Sequence, residues 1–517
     1  MLFNSLSFIF LFLPVALAGY YATLWVGLRR YIFVYVVIAS LVFYSVWNPA
    51  YTILLIASIA VNYLFGVGIE GARSPLAAKL LLTAGVVVNL AALGYYKYAN
   101  FFIQSANMVL GSNWTFTHII LPLGISFFTF QQIAYLVDIS RGTIRSGGIA
   151  RYATFVLFFP QLIAGPIVHY KEMMPQFFDK NVGRFPVANI AIGTTIFAIG
   201  LFKKTVIADC ASLYAAPIYG AAYAGHPVGF ADGWTAAITY TIQLYFDFSG
   251  YSDMAIGLAR MFGIRLPLNF HSPLRAASII EYWRRWHMTL QQFIVSYMYQ
   301  PILLPVTRFA ARRSLGKWAS FFVTVALPMV GLFALIGLWH GPSWTFVIFG
   351  VMHGVYLATN EYWRKRFQKR RKKQGQPRGG VVVAYHVVTL LAVAFANVMF
   401  RAQSVASAVE IWKGMLRVDQ VAQLAGTVPV HGYELFTKPF ALCLAAIVIL
   451  AFFPNTQQFM GRYNPALHWS KWRDVAPPQI VLTWRPTLLW AAAVGVILFF
   501  GISFTSRGQS VFIYFNF

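Results

Sequence analysis

The chain has 517 residues, of which 59% are hydrophobic and only 10% are charged, and its mean hydropathy is +0.64. Soluble domains carry about 25% charged residues, so this composition excludes an ordinary soluble protein and indicates a membrane protein along its whole length. The formal net charge is +26, and most of the basic residues that produce it lie between apolar stretches. That placement follows the positive-inside rule and argues against nucleic-acid binding.

A membrane-spanning helix needs about 20 consecutive apolar residues. Apolar stretches of roughly this length lie near residues 3–24, 31–48, 51–68, 78–95, 117–137, 152–168, 187–208, 234–258, 318–339, 343–362, 381–400, 436–453 and 486–504. Some are short or interrupted by Pro and Gly, so we expect about 11–13 true spans. No internal repeat is apparent, which argues against the inverted halves of many transporters.

We therefore expect an all-α polytopic integral membrane protein with a single membrane domain over residues 1–517. The N-terminal spans lie in 1–110, a core with unusual polar motifs lies in 115–365, and the C-terminal spans lie in 380–517. The first apolar stretch is not preceded by the basic residues of a secretory signal, so we expect it to remain as a span.

Two basic segments predict the topology. Residues 307–317 are rich in Arg and Lys, and residues 364–378 carry nine basic residues and no acidic one. Both are expected in the cytoplasm. The predicted spans 318–339 and 343–362 lie between these two segments, so the chain must cross the membrane and return. The turn that joins these spans contains His340, which is therefore expected toward the outer side, or at the base of a cavity that opens there.

Three stretches are expected to depart from simple spans. Residues 260–305 mix charged and aromatic residues and predict interfacial or re-entrant helices, which are tolerated at depth only within protein or beside water. Residues 454–485 are polar and rich in Trp, which is typical of an extramembrane or interfacial loop. Residues 158–167, FFPQLIAGPI, contain two prolines and a glycine and predict a broken span.

His340 is the first candidate for chemistry and lies in the sequence GLWHG, residues 337–341. An imidazole titrates near neutral pH, so it can take a proton from a hydroxyl and return it. The flanking glycines allow another group to approach closely. The alternative is a structural histidine bonded to neighbouring backbone.

His287 is the second candidate and lies in EYWRRWHMTL, residues 281–290. Two tryptophans and two arginines surround it, namely Trp283, Trp286, Arg284 and Arg285. The tryptophans and Leu290 are at helical spacing with His287 alongside, and the arginines can bind a phosphate or a carboxylate. An interfacial Trp and Arg belt explains the aromatic residues but not the histidine among them.

Asp247 and Asp253 are two acids within a strongly apolar stretch, with Ser249 between them. Ionisable residues inside a membrane are costly and are functional by default. The two acids do not share a helix face, Gly250 can break the helix between them, and arginines of residues 260–285 can pair with them. A structural salt bridge, a substrate site and an ion-coupled transporter all remain open.

Several motifs are absent from the sequence. There is no Walker A loop, no nucleotide-binding glycine-rich turn, no HExxH motif and no GxSxG nucleophile elbow. The sequence therefore gives no support for ATP-driven transport or for a serine hydrolase. The two cysteines offer no metal spacing, and we expect no metal and no cofactor.

Five long stretches, in this order, strongly resemble bacterial members of the membrane-bound O-acyltransferase (MBOAT) family. They are LPLGISFFTFQQIAYLVDISRG (121–142), FFPQLIAGPI (158–167), QLYFDFSGYSDMAIGLARMFG (243–263), EYWRRWHMTL (281–290) and GLWHGPSWTFVIFGVMHG (337–354). The resemblance extends to the aromatic tail, residues 512–517. It is strongest to the membrane subunits of alginate O-acetylation, with kinship to the D-alanyl transfer proteins of teichoic acid modification.

The resemblance implies a fold and roles that composition does not. It implies a ring of tilted helices around a thinned centre, with His340 as the essential catalytic residue and His287 as its partner. It also implies an acetyl group moving from cytoplasmic acetyl-CoA across the bacterial inner membrane. The implied partners are a periplasmic SGNH-type acetyltransferase or acetyl carrier protein, the exopolysaccharide synthesis machinery and membrane lipids. Residues expected to bind donor or substrate are Arg284, Arg285, Trp283, Trp286, Asp247, Asp253, Trp339 and Ser249.

One stretch departs from the alginate-type pattern. After WRRWH, Val295 and Ser296 stand where such relatives have an Arg-Asp pair, and the Gly-Gly-Asn that follows is missing. The polymer is therefore open between an alginate-like and a cellulose-like exopolysaccharide. A lipid or lysophospholipid acyltransferase of the same superfamily is the second hypothesis, and a transporter that uses Asp247 and Asp253 is the third.

Overall fold

A computed structural model describes residues 1–115, 119–179, 182–374, 379–420, 430–505 and 512–513. In these ranges the chain is helical, with no β-strand and one isolated bridge between Pro267 and Leu467, which confirms the all-α expectation. The helices are α1 Phe8–Trp25, α2 Ile32–Ser45, α3 Pro49–Glu70, α4 Pro75–Leu110, α5 Ile125–Ser140, α6 Ile149–Leu157, α7 Phe159–Leu162, α8 Tyr170–Phe178, α9 Pro186–Tyr223, α10 Phe230–Met261, α11 Ile279–Arg285, α12 Met288–Ile294, α13 Gln300–Arg312, α14 Lys317–His340, α15 Trp344–Gln374, α16 Gly380–Arg401, α17 Val405–Leu416, α18 Val430–Phe452, α19 Thr456–Phe459 and α20 Leu488–Thr505. The ranges of α1, α4, α9 and α14 include π-helical turns, and a further π-helical turn, Val295–Tyr299, joins α12 to α13.

Seven helices in the described ranges are long and apolar enough to cross a bilayer, and they are α1, α3, α4, α9, α14, α16 and α20. Each coincides with a predicted span, so the multi-pass architecture is confirmed. Other predicted spans form helices that are shorter or more polar. Helix α2 has 14 residues, α5 has 16, and α10 has 32 but carries buried aspartates. The total of 11–13 spans stays a prediction.

The span expected near residues 152–168 is broken, as its prolines predicted. Helix α6 ends at Leu157, and Phe158 leaves the helical conformation before the short helix α7 begins. Pro160 lies in the first turn of α7, where its missing N–H costs nothing. A Cβ on Gly165 would lie 2.5 Å from the Cα of Gln161, so only glycine allows the chain to turn so tightly here.

Helix α10 forms the centre of the molecule, because every residue from Ile242 to Met261 is buried. It packs against α9 through two glycine pairs. A Cβ on Gly200 would lie 2.6 Å from the carbonyl oxygen of Gly250, and one on Gly193 would lie 2.5 Å from that of Gly257. Small residues of this kind let two membrane helices approach backbone to backbone. The expectation that Gly250 breaks the helix is therefore wrong, since the glycine serves packing.

Helices α14 and α15 form a hairpin whose turn follows His340. A Cβ on Gly354 of α15 would lie 2.7 Å from the Cα of Val330, so the two helices are in close contact along their length. Residues 307–317 and 364–374, from the segments predicted to be cytoplasmic, flank the open end of this hairpin, and His340 stands at its closed end. The placement of His340 toward the outer side stays a prediction.

Candidate active site

His340 is the last residue of α14 and is 3% exposed. Its ring lies between two phenylalanines, with ring-centroid distances of 5.2 Å to Phe400 of α16 and 6.4 Å to Phe349 of α15. The chain becomes extended at Gly341, where α14 ends. Three helices therefore hold one imidazole at the closed end of the hairpin, inside an apolar enclosure.

His287 lies in a break between two short helices. Helix α11 ends at Arg285, and His287 has a φ of 43°, in the left-handed region that non-glycine residues rarely adopt. The helical spacing of Trp283, Trp286 and Leu290 in the sequence is therefore interrupted in the structure at His287. The backbone bonds to a neighbouring segment instead, because the Met288 N–H donates to the Asn269 carbonyl at 2.9 Å and the Arg285 carbonyl accepts from the His271 N–H at 3.0 Å.

The buried side chain of Asn269 determines which nitrogen of His287 carries the proton. The Asn269 amide donates to Ser252 Oγ at 3.0 Å, so its Oδ1 is free to accept. That oxygen lies 3.0 Å from His287 Nδ1 and 2.9 Å from the Thr289 hydroxyl, which donates to it. A carbonyl oxygen only accepts, so His287 Nδ1 is the protonated nitrogen and Nε2 carries the lone pair in the neutral ring.

Burial keeps His287 neutral. The residue lies outside the seven candidate spans, is 1% exposed, and packs edge-on against Phe248 at a ring-centroid distance of 4.7 Å. Desolvation in this apolar environment lowers the pKa of the His287 imidazole to about 3, because the charged form loses its hydration. At physiological pH the ring is therefore neutral.

The indole of Trp339 brings the two histidines together. Its ring centroid lies 6.3 Å from that of His287 and 4.9 Å from that of His340. Phe130 of α5 stacks on the indole at 5.3 Å with nearly parallel planes, which holds it in place. Residues 53 positions apart in the sequence thus meet at one aromatic side chain.

A cavity of about 460 Å³ reaches His340, and we call it the His340 cavity. Lys97 and Ser126 are polar side chains on its wall, and Trp339 forms part of its base. Its lining residues are Met1, Leu2, Val46, Trp47, Lys97, Leu121, Pro122, Leu123, Gly124, Ile125, Ser126, Phe127, Ile163, Trp339 and His340.

A second cavity of about 300 Å³ reaches His287, and we call it the His287 cavity. It runs along α14 and α15 toward the open end of the hairpin, where Glu361 and Arg364 line it. Trp283 and Arg284 are on its wall, and the Trp283 indole donates to His353 Nδ1 at 3.1 Å. The two histidines therefore line two different cavities.

The two neighbouring arginines have different environments. Arg285 is buried and pairs with Glu281 one helical turn earlier. Arg284 is exposed on the wall of the His287 cavity, and no ion pair of Arg284 occurs within the described ranges. Of the pair predicted to bind an anion, the structure places Arg284 in a position to do so and gives Arg285 a structural partner.

The buried aspartates pair with lysines of α9 rather than with arginines of residues 260–285, so that expectation is wrong. Asp253 lies 2.6 Å from Lys203 Nζ, and Asp247 lies 2.6 Å from Lys204 Nζ. The α9 and α10 backbones approach so closely at their glycines that the α9 lysines are the nearest cations. The backbone N–H of Ile513, in the aromatic tail, donates to Asp247 at 3.0 Å.

Part of residues 454–485, expected to be an extramembrane or interfacial loop, reaches into this ion-pair network. The Thr456 hydroxyl and the Gln457 amide each donate to Asp253 at 2.6 Å, and both residues are buried. The four oxygen atoms of the two carboxylates are thus engaged by lysines, side chains and backbone. This arrangement is typical of a structural core.

The remaining predicted site residues lie elsewhere. Ser249 and Trp286 are buried and line neither cavity, as is true of Asp247, Asp253 and Arg285. Trp286 packs instead against aromatic rings, including Phe270 at 5.0 Å. Sequence reasoning missed Lys97, Asn269 and His353. Only Lys97 gave a local signal, as a charge directly after a predicted span.

This arrangement defines a class of protein. It is a multi-pass membrane protein with two buried imidazoles, each at the end of its own cavity and both against one indole. Imidazoles move protons between a hydroxyl nucleophile and a leaving group, and separate cavities allow a donor and an acceptor to reach them from different directions. These features define a membrane-embedded group-transfer enzyme.

Comparison with known proteins identifies the family. The profile of the membrane-bound O-acyltransferase family, MBOAT, matches residues 143–400. The peptidoglycan O-acetyltransferase of Helicobacter pylori is 35% identical, over 100% of this chain and 98% of that protein. The probable alginate O-acetylase AlgI of Azotobacter vinelandii is 35% identical over the full length of both chains. The teichoic acid D-alanyltransferase of Streptococcus thermophilus is 26% identical over 49% of this chain and 60% of that protein. The chain belongs to the MBOAT family and is an acyltransferase.

Proposed function

We propose that the protein transfers an acetyl group from cytoplasmic acetyl-CoA to a hydroxyl group of an acceptor on the outer side of the bacterial inner membrane, for the O-acetylation of an exopolysaccharide. The observation that carries this proposal is that His340 lines one cavity and His287 another, while both imidazoles lie beside the indole of Trp339. The names of two full-length relatives, a peptidoglycan O-acetyltransferase and a probable alginate O-acetylase, support acetyl as the group and a polymer as the final acceptor.

The charge distribution supports an assignment of the donor side. The His287 cavity extends along the hairpin toward the basic residues 364–378, which the positive-inside rule assigns to the cytoplasm. Arg284 lines this cavity with no ion pair in the described ranges and suits a phosphate of a coenzyme A donor, whereas Arg364, also on the wall, is paired with Glu361 at 2.8 Å. We therefore assign the His287 cavity to acetyl-CoA, with the thioester near His287, and the His340 cavity to the acceptor.

The proposed reaction is a direct acyl transfer. His340 takes the proton of the acceptor hydroxyl as its oxygen attacks the thioester carbonyl, which forms a tetrahedral intermediate with a negative oxygen. The carbon–sulfur bond then breaks and releases the coenzyme A thiolate. The imidazolium returns its proton to that thiolate, so the products are the acetyl ester and free coenzyme A.

His287 acts in this scheme as the partner on the donor side. Its Nδ1–H is held by Asn269, so the neutral ring has its lone pair at Nε2 and offers no second N–H to the negative oxygen. Its role is therefore to accept at Nε2 the proton that the His340 imidazolium gives up and to pass that proton to the coenzyme A thiolate. In the same proposal, a periplasmic SGNH-type acetyltransferase or an acetyl carrier protein passes the group on to the exopolysaccharide machinery.

Inside-out membrane vesicles test the proposal, because they expose the cytoplasmic face to added acetyl-CoA. We expect [14C]acetyl-CoA to yield alkali-labile label in lumenal polysaccharide or in a partner protein, and we expect His340→Ala to abolish it. Label that appears in membrane lipid instead would favour lipid acylation. Label in polysaccharide that is unchanged in His340→Ala would contradict the assigned chemistry.

A further inference from the structure

An apolar cleft lies between α13 and α14 and shares no lining residue with the two cavities of the site; we call it the α13–α14 cleft. Its volume is about 400 Å³, and its lining residues are Ile302, Pro305, Val306, Phe309, Val323, Leu327 and Pro328, none of which has a polar side chain. Phe309 and Leu327 are each more than half exposed, so the cleft is open at the surface of the protein. A cleft of this composition suits a hydrocarbon chain rather than a sugar or a nucleotide.

Helix α13 has an apolar face and a basic one. The residues of α13 that line the cleft recur every three or four positions, which places them on one side of the helix. Arg308 and Arg312 are four residues apart, so they are neighbours on the helix surface, and both are exposed. The guanidinium of Arg313, directly after the helix, lies 5.8 Å from the ring centroid of Phe309, which lines the cleft. The helix therefore places arginines beside an apolar cleft.

These three arginines have no acidic partner in the part of the chain that the structure describes. The sequence contains no Asp or Glu between Glu281 and Glu361, and Lys317 adds a fourth positive charge at the start of α14. Glu281 is paired with Arg285, and Glu361 is paired with Arg364 at 2.8 Å. Exposed guanidinium groups without an acidic partner attract an anion, and their planar N–H groups match a phosphate.

The cleft extends from the membrane interface into the hydrocarbon region. Helix α14 is one of the seven candidate spans, and the basic segment that precedes it is expected in the cytoplasm. Trp318, in the first turn of α14, is 62% exposed, and its ring centroid lies 5.2 Å from that of Tyr362 on α15. Trp and Tyr are enriched at membrane interfaces. Val323 and Leu327 lie roughly 7–14 Å further along α14, on the hydrocarbon side of this aromatic pair.

We propose that the α13–α14 cleft binds an anionic phospholipid of the cytoplasmic leaflet. One acyl chain occupies the cleft, and the phosphate of the headgroup lies against Arg308, Arg312 and Arg313. An acidic protein would neutralise the arginines but would leave the apolar cleft empty, and a lipid without net charge would leave the arginines without a counter-charge. The site is separate from the acyl-transfer site, so this inference does not depend on the proposed function.

Native mass spectrometry of the delipidated full-length protein in detergent tests this inference. The probes are phosphatidylglycerol and phosphatidylcholine with identical acyl chains, which differ in the headgroup and its net charge. We expect the first phosphatidylglycerol molecule to bind about tenfold more tightly than the first phosphatidylcholine molecule, because several basic residues near the membrane surface attract its negative charge.

Substitutions of the arginines assign the preference to this site. A variant that combines Arg308→Gln, Arg312→Gln and Arg313→Gln should bind the two lipids equally, whereas the same three changes to Lys should keep a preference for phosphatidylglycerol. The single change Arg308→Gln should lower the preference in part, which provides a reading if the combined variant does not fold.

Two further variants complete the test. Val306→Phe combined with Val323→Phe fills the cleft and leaves the arginines in place, so it should weaken the binding of the first lipid molecule of either kind. Arg73→Gln combined with Lys79→Gln and Arg145→Gln is the matched control, because it removes three other exposed positive charges. The control should bind both lipids as the wild type does.

Three outcomes overturn the inference. The first is a wild type that shows no preference between the two lipids, including one that binds neither. The second is a preference that survives in the arginine-to-glutamine variants, or that falls equally in the matched control, which would make it a general effect of the positive charge of the protein. The third is unchanged lipid binding by the variant with the filled cleft, when thermal unfolding in detergent shows that this variant is folded.

Discussion

Asn269 has an influence on the site that its position in the sequence does not suggest. Its amide group connects Ser252 of the central helix α10 to His287 and Thr289 beyond the break. Through these contacts a residue that lines neither cavity fixes the tautomer of a site histidine. Residues that orient a histidine in this way are positioning residues, and their loss weakens the histidine without removing it.

We predict that Asn269→Ala lowers the rate of acetyl transfer about tenfold, because His287 loses the acceptor that holds its Nδ1–H. The KM for acetyl-CoA should change little, since Asn269 lines no cavity, and the pH profile of kcat should shift as the tautomer is released. Ser252→Ala is the control, because it removes the contact on the other side of the Asn269 amide. An effect of equal size in both variants, with no change in pH profile, would indicate a purely structural role.

The neighbouring arginines give a second prediction at this scale. Arg284→Ala should raise the KM for acetyl-CoA about tenfold with little loss of stability, since Arg284 lines the His287 cavity and has no ion-pair partner in the described ranges. Arg285→Ala should instead lower the melting temperature in detergent, because it removes the pair with Glu281. Kinetics and thermal unfolding of both variants check the assignment, and the reverse pattern would refute it.

At the scale of the elements, the contact between α9 and α10 depends on glycine. We predict that Gly200→Ala destabilises the protein by about 1–3 kcal/mol, because its Cβ would lie 2.6 Å from the Gly250 carbonyl oxygen. Gly220→Ala in the same helix has open space around its Cβ and should be neutral or slightly stabilising. Thermal unfolding of the two purified variants in detergent measures this difference in stability. Equal stability of the two variants would mean that the helices are not in backbone contact.

The lysine and aspartate pairs of the same two helices distinguish a structural role from ion transport. We predict that Asp253→Asn lowers the amount of folded protein, because the Lys203 side chain, which is only 13% exposed, loses its ion-pair partner, at a cost of up to about 3–5 kcal/mol. Asp232→Asn, at an exposed position in the same helix, should have no effect. A well-folded Asp253→Asn protein that has lost only an ion-dependent activity would revive the transporter hypothesis.

The sequence predicted the elements far better than their contacts. The apolar stretches predicted helices such as α3 and α16, and Pro160 and Pro166 predicted the break after α6. These predictions succeeded because the signals are local in the sequence. The pairing of Asp253 with Lys203, Thr456 and Gln457 joins residues up to 204 positions apart. No local pattern contains such a contact, so nearby arginines were the wrong choice of partner.

At the scale of the whole molecule, two separate cavities reach two histidines that lie beside one indole. The sequence motifs indicated His340 and His287 as site residues. The approach of both imidazoles to Trp339 depends on how α14 packs beside the break before α12. The contact of Lys97 with the Trp339 carbonyl spans 242 positions and was likewise beyond local patterns. The central claim is that the His287 cavity admits the donor and the His340 cavity admits the acceptor of one acyl transfer.

The amount of ester-bound acetate on the secreted polysaccharide of the host tests this claim most directly. Wild type, His340→Ala and His287→Ala are compared at equal membrane levels, with His226→Ala as a control for an exposed histidine. The account predicts that acetate falls by at least about a hundredfold in His340→Ala, falls in His287→Ala and is unchanged in His226→Ala, because the transfer loses its proton acceptor. Normal acetate in His340→Ala at normal protein levels would contradict it.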